Sequence, residues 1–156
     1  MAVNLDKSQA IYAGNIESVV FTTDVQNGAI TTLGAMATGE REVVQGANPV
    51  DVTEDEILLV YTPEVLYETG KGILDFVNKA GIPARAYHYT VGDIVTVTDD
   101  MIDGTSAVNQ YLIPVNGSNK LKTAADLSSG TKFAAKVIEK RKLFGKAATS
   151  YRVVSC

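Results

Sequence analysis

Val91-Gly92-Asp93-Ile94-Val95-Thr96-Val97-Thr98 is the stretch on which the fold turns. A Gly-Asp turn opens it, and five consecutive β-branched residues follow, a composition that favours extended backbone. Beyond an acidic turn comes Tyr111-Leu112-Ile113-Pro114-Val115, closed by Asn116-Gly117. A third run covers residues 132–139 and a last one residues 151–154. Short β-rich runs at near-regular spacing, each bounded by Gly, Asn or Asp, predict a small β-barrel or sandwich.

Upstream of this stretch the same grammar continues. Ser18-Val19-Val20-Phe21-Thr22 is a strand by composition. Asn27-Gly28 is a turn, because both residues tolerate positive φ, and residues 29–33 are the expected return strand of a hairpin. Thr38-Gly39 marks another turn, and Glu40-Arg41-Glu42-Val43-Val44 alternates like a charged edge strand. Ile57-Leu58-Leu59-Val60-Tyr61 is a compact apolar run ended by Pro63 and suits a buried strand. Ile73, Phe76 and Val77 recur at i, i+3 and i+4 and predict one short helix, stopped by Gly81 and Pro83. A single helical turn is expected after Thr98, with Thr98 as its cap.

Residues 2–17 carry isolated apolar positions without useful periodicity and are expected to form an extended arm held against a neighbour. The expected organisation is an arm over residues 1–17 and a single β-rich domain over 18–156. The fold class is mainly β, at the margin of α+β, with one short helix.

A chain of 156 residues with 46% hydrophobic content can bury a sizeable core in one domain. No apolar run approaches the ~20 residues of a membrane-spanning helix, so no membrane partner is expected. Met1-Ala2-Val3-Asn4-Leu5-Asp6-Lys7 lacks a basic patch followed by an apolar core, which predicts a chain made and assembled in a cytoplasm. The single cysteine, Cys156, cannot form an internal disulfide or a thiolate cluster.

The net charge of -4 conceals a division. Residues 1–70 hold eleven acids against only Lys7 and Arg41, whereas residues 71–156 hold twelve Lys or Arg against seven acids. A basic half can contact nucleic acid. The spread of these bases over several strands, with few interleaved aromatics, favours instead an acidic and a basic half meeting across repeated copies or on a larger assembly. No direct nucleic-acid partner is expected.

Candidate chemistry is sparse. Asp99-Asp100-Met101-Ile102-Asp103 matches a DDxxD pattern whose carboxylates can converge on a hard cation, but it lies between two β runs and suits a solvated acidic turn. Thr69-Gly70-Lys71-Gly72 fails the phosphate-loop pattern at Val65 and Gly72. His88 stands between Tyr87 and Tyr89 on a strand with no nucleophile placed beside it, which suits a structural histidine. Asn116-Gly117-Ser118 is better read as a turn than as a glycosylation acceptor. No catalytic residue, metal or cofactor is expected.

Several stretches together resemble small virion proteins of tailed bacteriophages, especially those infecting Gram-positive hosts. They are Asn4-Leu5-Asp6-Lys7-Ser8-Gln9-Ala10, the Asn27-Gly28 turn, Gly39-Glu40-Arg41-Glu42, the run from Val91 through Thr98 to Ile102, and Gly130-Thr131-Lys132-Phe133. The resemblance covers most of the chain, and its motifs are structural rather than catalytic. Within that class it is nearest to a capsid decoration, or cement, protein. This implies a β-rich body displayed in many copies on the outer surface of the head, clamping adjoining capsid subunits. The implied partners are the major capsid protein and other copies of the chain, with a trimer as the implied assembly. A head–tail connector, neck or tail-tube subunit is the alternative, and a metal-dependent enzyme using the acidic turn is a remote one. The expected partner-binding residues are Val3, Leu5, Ile11, Tyr12 and Ile16 on the arm, with Lys140, Arg141 and Lys142.

Overall fold

The computed structural model describes residues 2–8 and 15–156. Twelve strands run in chain order among them: β1 Val3–Lys7, β2 Ile16–Val20, β3 Ile30–Met36, β4 Val43–Ala47, β5 Leu58–Val60, β6 Ala84–His88, β7 Ile94–Thr98, β8 Ile102–Asp103, β9 Tyr111–Ile113, β10 Leu121–Ala124, β11 Ala134–Leu143 and β12 Lys146–Ser155. The fold is mainly β, as the alternation of apolar and turn residues predicts.

Two β layers result. One is a closed barrel in the order β2-β4-β3-β5-β6, with β6 pairing back onto β2. The other is a seven-stranded sheet in the order β1-β7-β12-β11-β9-β10-β8. A cluster of buried residues joins the layers: Ile30, Leu59 and Tyr87 from the barrel pack with Val95, Leu112, Val137 and Tyr151 from the sheet and with Phe133 just before β11. A second cluster, including Val19, Phe21, Leu58, Val60 and Ala86, contains further barrel residues. The division explains the continuous apolar run of β5. Leu58 and Val60 belong to one cluster and Leu59 to the other, so a strand covered on both faces needs no alternation.

Five expectations are corrected. The strands on either side of Asn27-Gly28 do not form a hairpin, because β2 pairs with β4 and β6, and β3 with β4 and β5. The turn itself stands, with Gly28 at φ +87°, but Asn27 is fully buried. Its amide exchanges hydrogen bonds with the Thr62 backbone, donating to O at 2.7 Å and accepting from N at 3.0 Å. Tertiary bonding to the β5–β6 connection therefore outweighs local hairpin closure.

β4 is not an edge strand. It starts at Val43 and lies between β2 and β3, while Glu40 and Glu42 fall in the preceding turn. The predicted helix is only a 3₁₀ turn, Ile73–Asp75, with Phe76 already extended at ψ 134°. The eight residues between Gly72 and Gly81 are too few to repay helix nucleation. The other predicted turn exists as a 3₁₀ turn, Asp99–Met101, but Thr98 makes no side-chain cap bond there.

The arm boundary is also displaced. Ile16 and Glu17 already belong to β2, and β1 is a working strand of the chain's own sheet, with Val3 opposite Val97 and Leu5 opposite Val95. Burial of Val3 against this chain's core supplies the reason.

Candidate binding surface

The β11–β12 hairpin is the longest paired element of the molecule. Leu143 opposes Lys146, and the two residues between them, Phe144 and Gly145, both adopt positive φ, at 49° and 81°. That geometry matches the right-handed twist of a tight hairpin, and Gly145 takes it freely. Phe144 does not: a bulky side chain in the left-handed region costs about 1–3 kcal/mol. Phe144 is nonetheless 57% exposed, so burial of its side chain offsets little of the strain.

The tip extends beyond its supporting strands. β12 pairs with β7 only over Ala148 to Arg152, and β11 pairs with β9 only at Ala135 and Lys136. The pairs Lys142–Ala147 and Leu143–Lys146 therefore have no third strand beside them among the described residues.

Two polar clusters brace the ribbon where it leaves the sheet. The Lys140 ammonium donates to Asp99 Oδ2 at 2.6 Å, Thr149 Oγ1 at 2.7 Å and Ser106 Oγ at 2.8 Å. The Thr149 hydroxyl, fully buried, donates in turn to Asp99 Oδ1 at 2.6 Å. Arg141 donates to Asp6 Oδ1 at 2.7 Å, and Asp6 Oδ2 accepts from Thr96 Oγ1 at 2.6 Å. These charges are answered within the chain.

A β-bulge between Val137 and Glu139 inserts Ile138 into β11. The extra residue reverses which face the following side chains take, as bulges do. It also leaves Ile138 41% exposed on an open groove of about 540 Å³, lined by Val91, Asn109, Lys136, Ile138, Arg152 and Val154 among others. Lys136 and Arg152 are direct cross-strand partners on this surface. Lys136 lies 5.9 Å from the Tyr111 ring centroid, and neither cation makes an ion pair with a carboxylate among the described residues.

The expected partner-binding residues are dispersed. Val3 is 6% exposed and Leu5 packs on the same core, so both are committed to the body; Ile16 also packs there. Ile11 and Tyr12 lie outside the described residues. Lys140 and Arg141 brace the hairpin, and Lys142 alone of that trio is an exposed cation near the tip without an ion pair among the described residues. The signal that sequence reading passed over was two ten-residue runs flanking Phe144-Gly145, which mark one long hairpin rather than two separate strands.

His88 lies between two carboxylates, with Nδ1 2.6 Å from Glu56 Oε1 and Nε2 3.2 Å from Glu17 Oε1. Burial pushes its pKa down, but the bonds to Glu56 and Glu17 outweigh this and the net shift is upward. Among the described residues, no three His, Cys, Asp or Glu side chains gather in a way that could hold a metal ion.

No family model matches the chain, and no curated protein or solved structure matches it either.

Proposed function

We propose that this chain is a structural protein of a tailed-phage virion that decorates the outer surface of the head, using the β11–β12 hairpin tip as its capsid contact. One observation carries the reading: Phe144 is held exposed and strained at the end of a ribbon braced by Lys140–Asp99 and Arg141–Asp6. Hairpin closure demands positive φ at this position, and a bulky exposed aromatic held there, where Asn or Gly would serve without strain, suits a contact made by a partner. An aromatic anchor with Lys142 and Lys146 beside it suits a shallow apolar pocket rimmed by carboxylates on the major capsid protein. The resemblance of the sequence to decoration proteins supports the same role.

The test separates folding from attachment. Phe144→Asn places a residue that tolerates positive φ at the tip, so the isolated protein is expected to be at least as stable as the wild type. Its occupancy on particles lacking the native protein is expected to fall severalfold. Copy number in purified native particles provides the independent check. A count comparable to the capsid subunits supports decoration. About a dozen copies indicates a connector or neck, enrichment in detached tails indicates a tail tube, and absence from particles overturns the reading.

A further inference from the structure

Lys136 and Arg152 face each other across two strands on the groove floor, flanked by the exposed apolar side chains of Val91, Ile138 and Val154. Like charges directly opposite repel, and nothing among the described carboxylates pairs with them. A surface of matching chemistry lies elsewhere on the chain. Between β5 and β6 runs a segment of 23 residues without a strand, far longer than an ordinary connection. It presents Val65 at 57% exposure and Tyr67 at 94%, with Glu64 and Glu68 on either side.

Within that segment Glu64 accepts a bond from Asn27, and Glu68 pairs with Lys71. The first bond ties the segment back to the body, and the second lies within it. An exposed tyrosine and valine set among carboxylates are what a groove of valines and isoleucine set between two cations can bind. None of the residues lining the groove comes from the 61–83 segment, so the two surfaces do not meet within one molecule.

We propose that the groove of one copy receives the Glu64–Glu68 segment of a second copy, with Tyr67 against Val91, Ile138 and Val154 and the carboxylates near Lys136 and Arg152. The contact is heterologous, joining two different surfaces, so it builds a ring where the rotation closes and an open row where it does not. The proposal rests on the capsid-surface reading only in that such a role sets many copies side by side. It is tested in solution without particles, so its failure is distinct from a failure of capsid attachment.

The experiment uses the full chain in sedimentation velocity up to about 500 µM, enough to detect even a weak contact. The groove variant is K136E/R152E and the segment variant is Y67A/E68K, all at surface positions. Unchanged thermal midpoints establish that both variants fold. The wild type is expected to self-associate with rising concentration. Each variant alone is expected to associate about tenfold more weakly or not at all. An equimolar mixture is expected to regain one-to-one pairs, because the groove variant keeps its segment and the segment variant keeps its groove. A wild type that stays monomeric overturns the proposal. So does a variant that associates like the wild type, or a mixture that gains nothing over its components.

Discussion

The phenol oxygens of Tyr89 and Tyr151 lie 2.7 Å apart in the core, one just past the end of the barrel's β6 and the other on β12 of the sheet. Tyr151 is fully buried and Tyr89 is 7% exposed, its ring 4.7 Å from that of Phe133. Burial drives both phenols far above the ordinary tyrosine range, so each stays protonated and can serve as donor or acceptor to the other.

Removing one hydroxyl from this pair strands the other in an apolar setting. Tyr151→Phe and Tyr89→Phe are each expected to cost about 1–3 kcal/mol in denaturant unfolding. The double variant is expected to cost clearly less than the two together, since no orphaned hydroxyl remains. Strict additivity would show that the hydroxyls are not coupled.

Val3 sets a second expectation, because β1 is part of the sheet. Val3→Ala is expected to lose about 1–2 kcal/mol, which lowers the thermal midpoint by roughly 2–8 °C in a chain of this size. Deleting residues 2–8 is expected to destabilise the body further. A silent Val3→Ala that instead weakened attachment to particles would restore the free-arm reading.

The His88 clasp gives stability a pH dependence with a definite sign. Its folded pKa lies above the ordinary value of 6.5, so the protonated ring is favoured by folding. That contribution is full below about 6.5 and is lost as pH rises through the raised folded value. The midpoint advantage of the wild type over His88→Gln is therefore expected to be larger near pH 6 than near pH 8.5. An advantage that grows with pH would refute the assignment.

Gly46 lies in β4 with the Phe21 ring packed against it, and a Cβ built there overlaps ring atoms. Phe21 is 8% exposed within the barrel cluster and has little room to retreat. Gly46→Ala is expected to destabilise by about 1–3 kcal/mol, read by chemical denaturation. In the turn before β4, Gly39→Ala meets no atom within 4 Å, so any loss there reflects its φ of +82° alone.

Local chemistry announced the β class of this protein. Runs such as Ile94 to Thr98 have few alternatives to extended backbone, and turns at Gly28, Gly39, Gly92 and Gly117 take the positive φ that glycine permits. Pairing was beyond its reach. Nothing near Asn27-Gly28 says that β2 will close a barrel with β4 and β6, because backbone donors and acceptors are alike in every strand and only burial of whole faces chooses among partners. The binding surface followed the same rule. Lys140 and Arg141 read as free cations until the fold brought Asp99 and Asp6 to them from 41 and 135 residues away. Lys136 and Arg152 became a paired feature only through the register of one hairpin, a relationship decided by long-range packing rather than by either residue's neighbours in the chain.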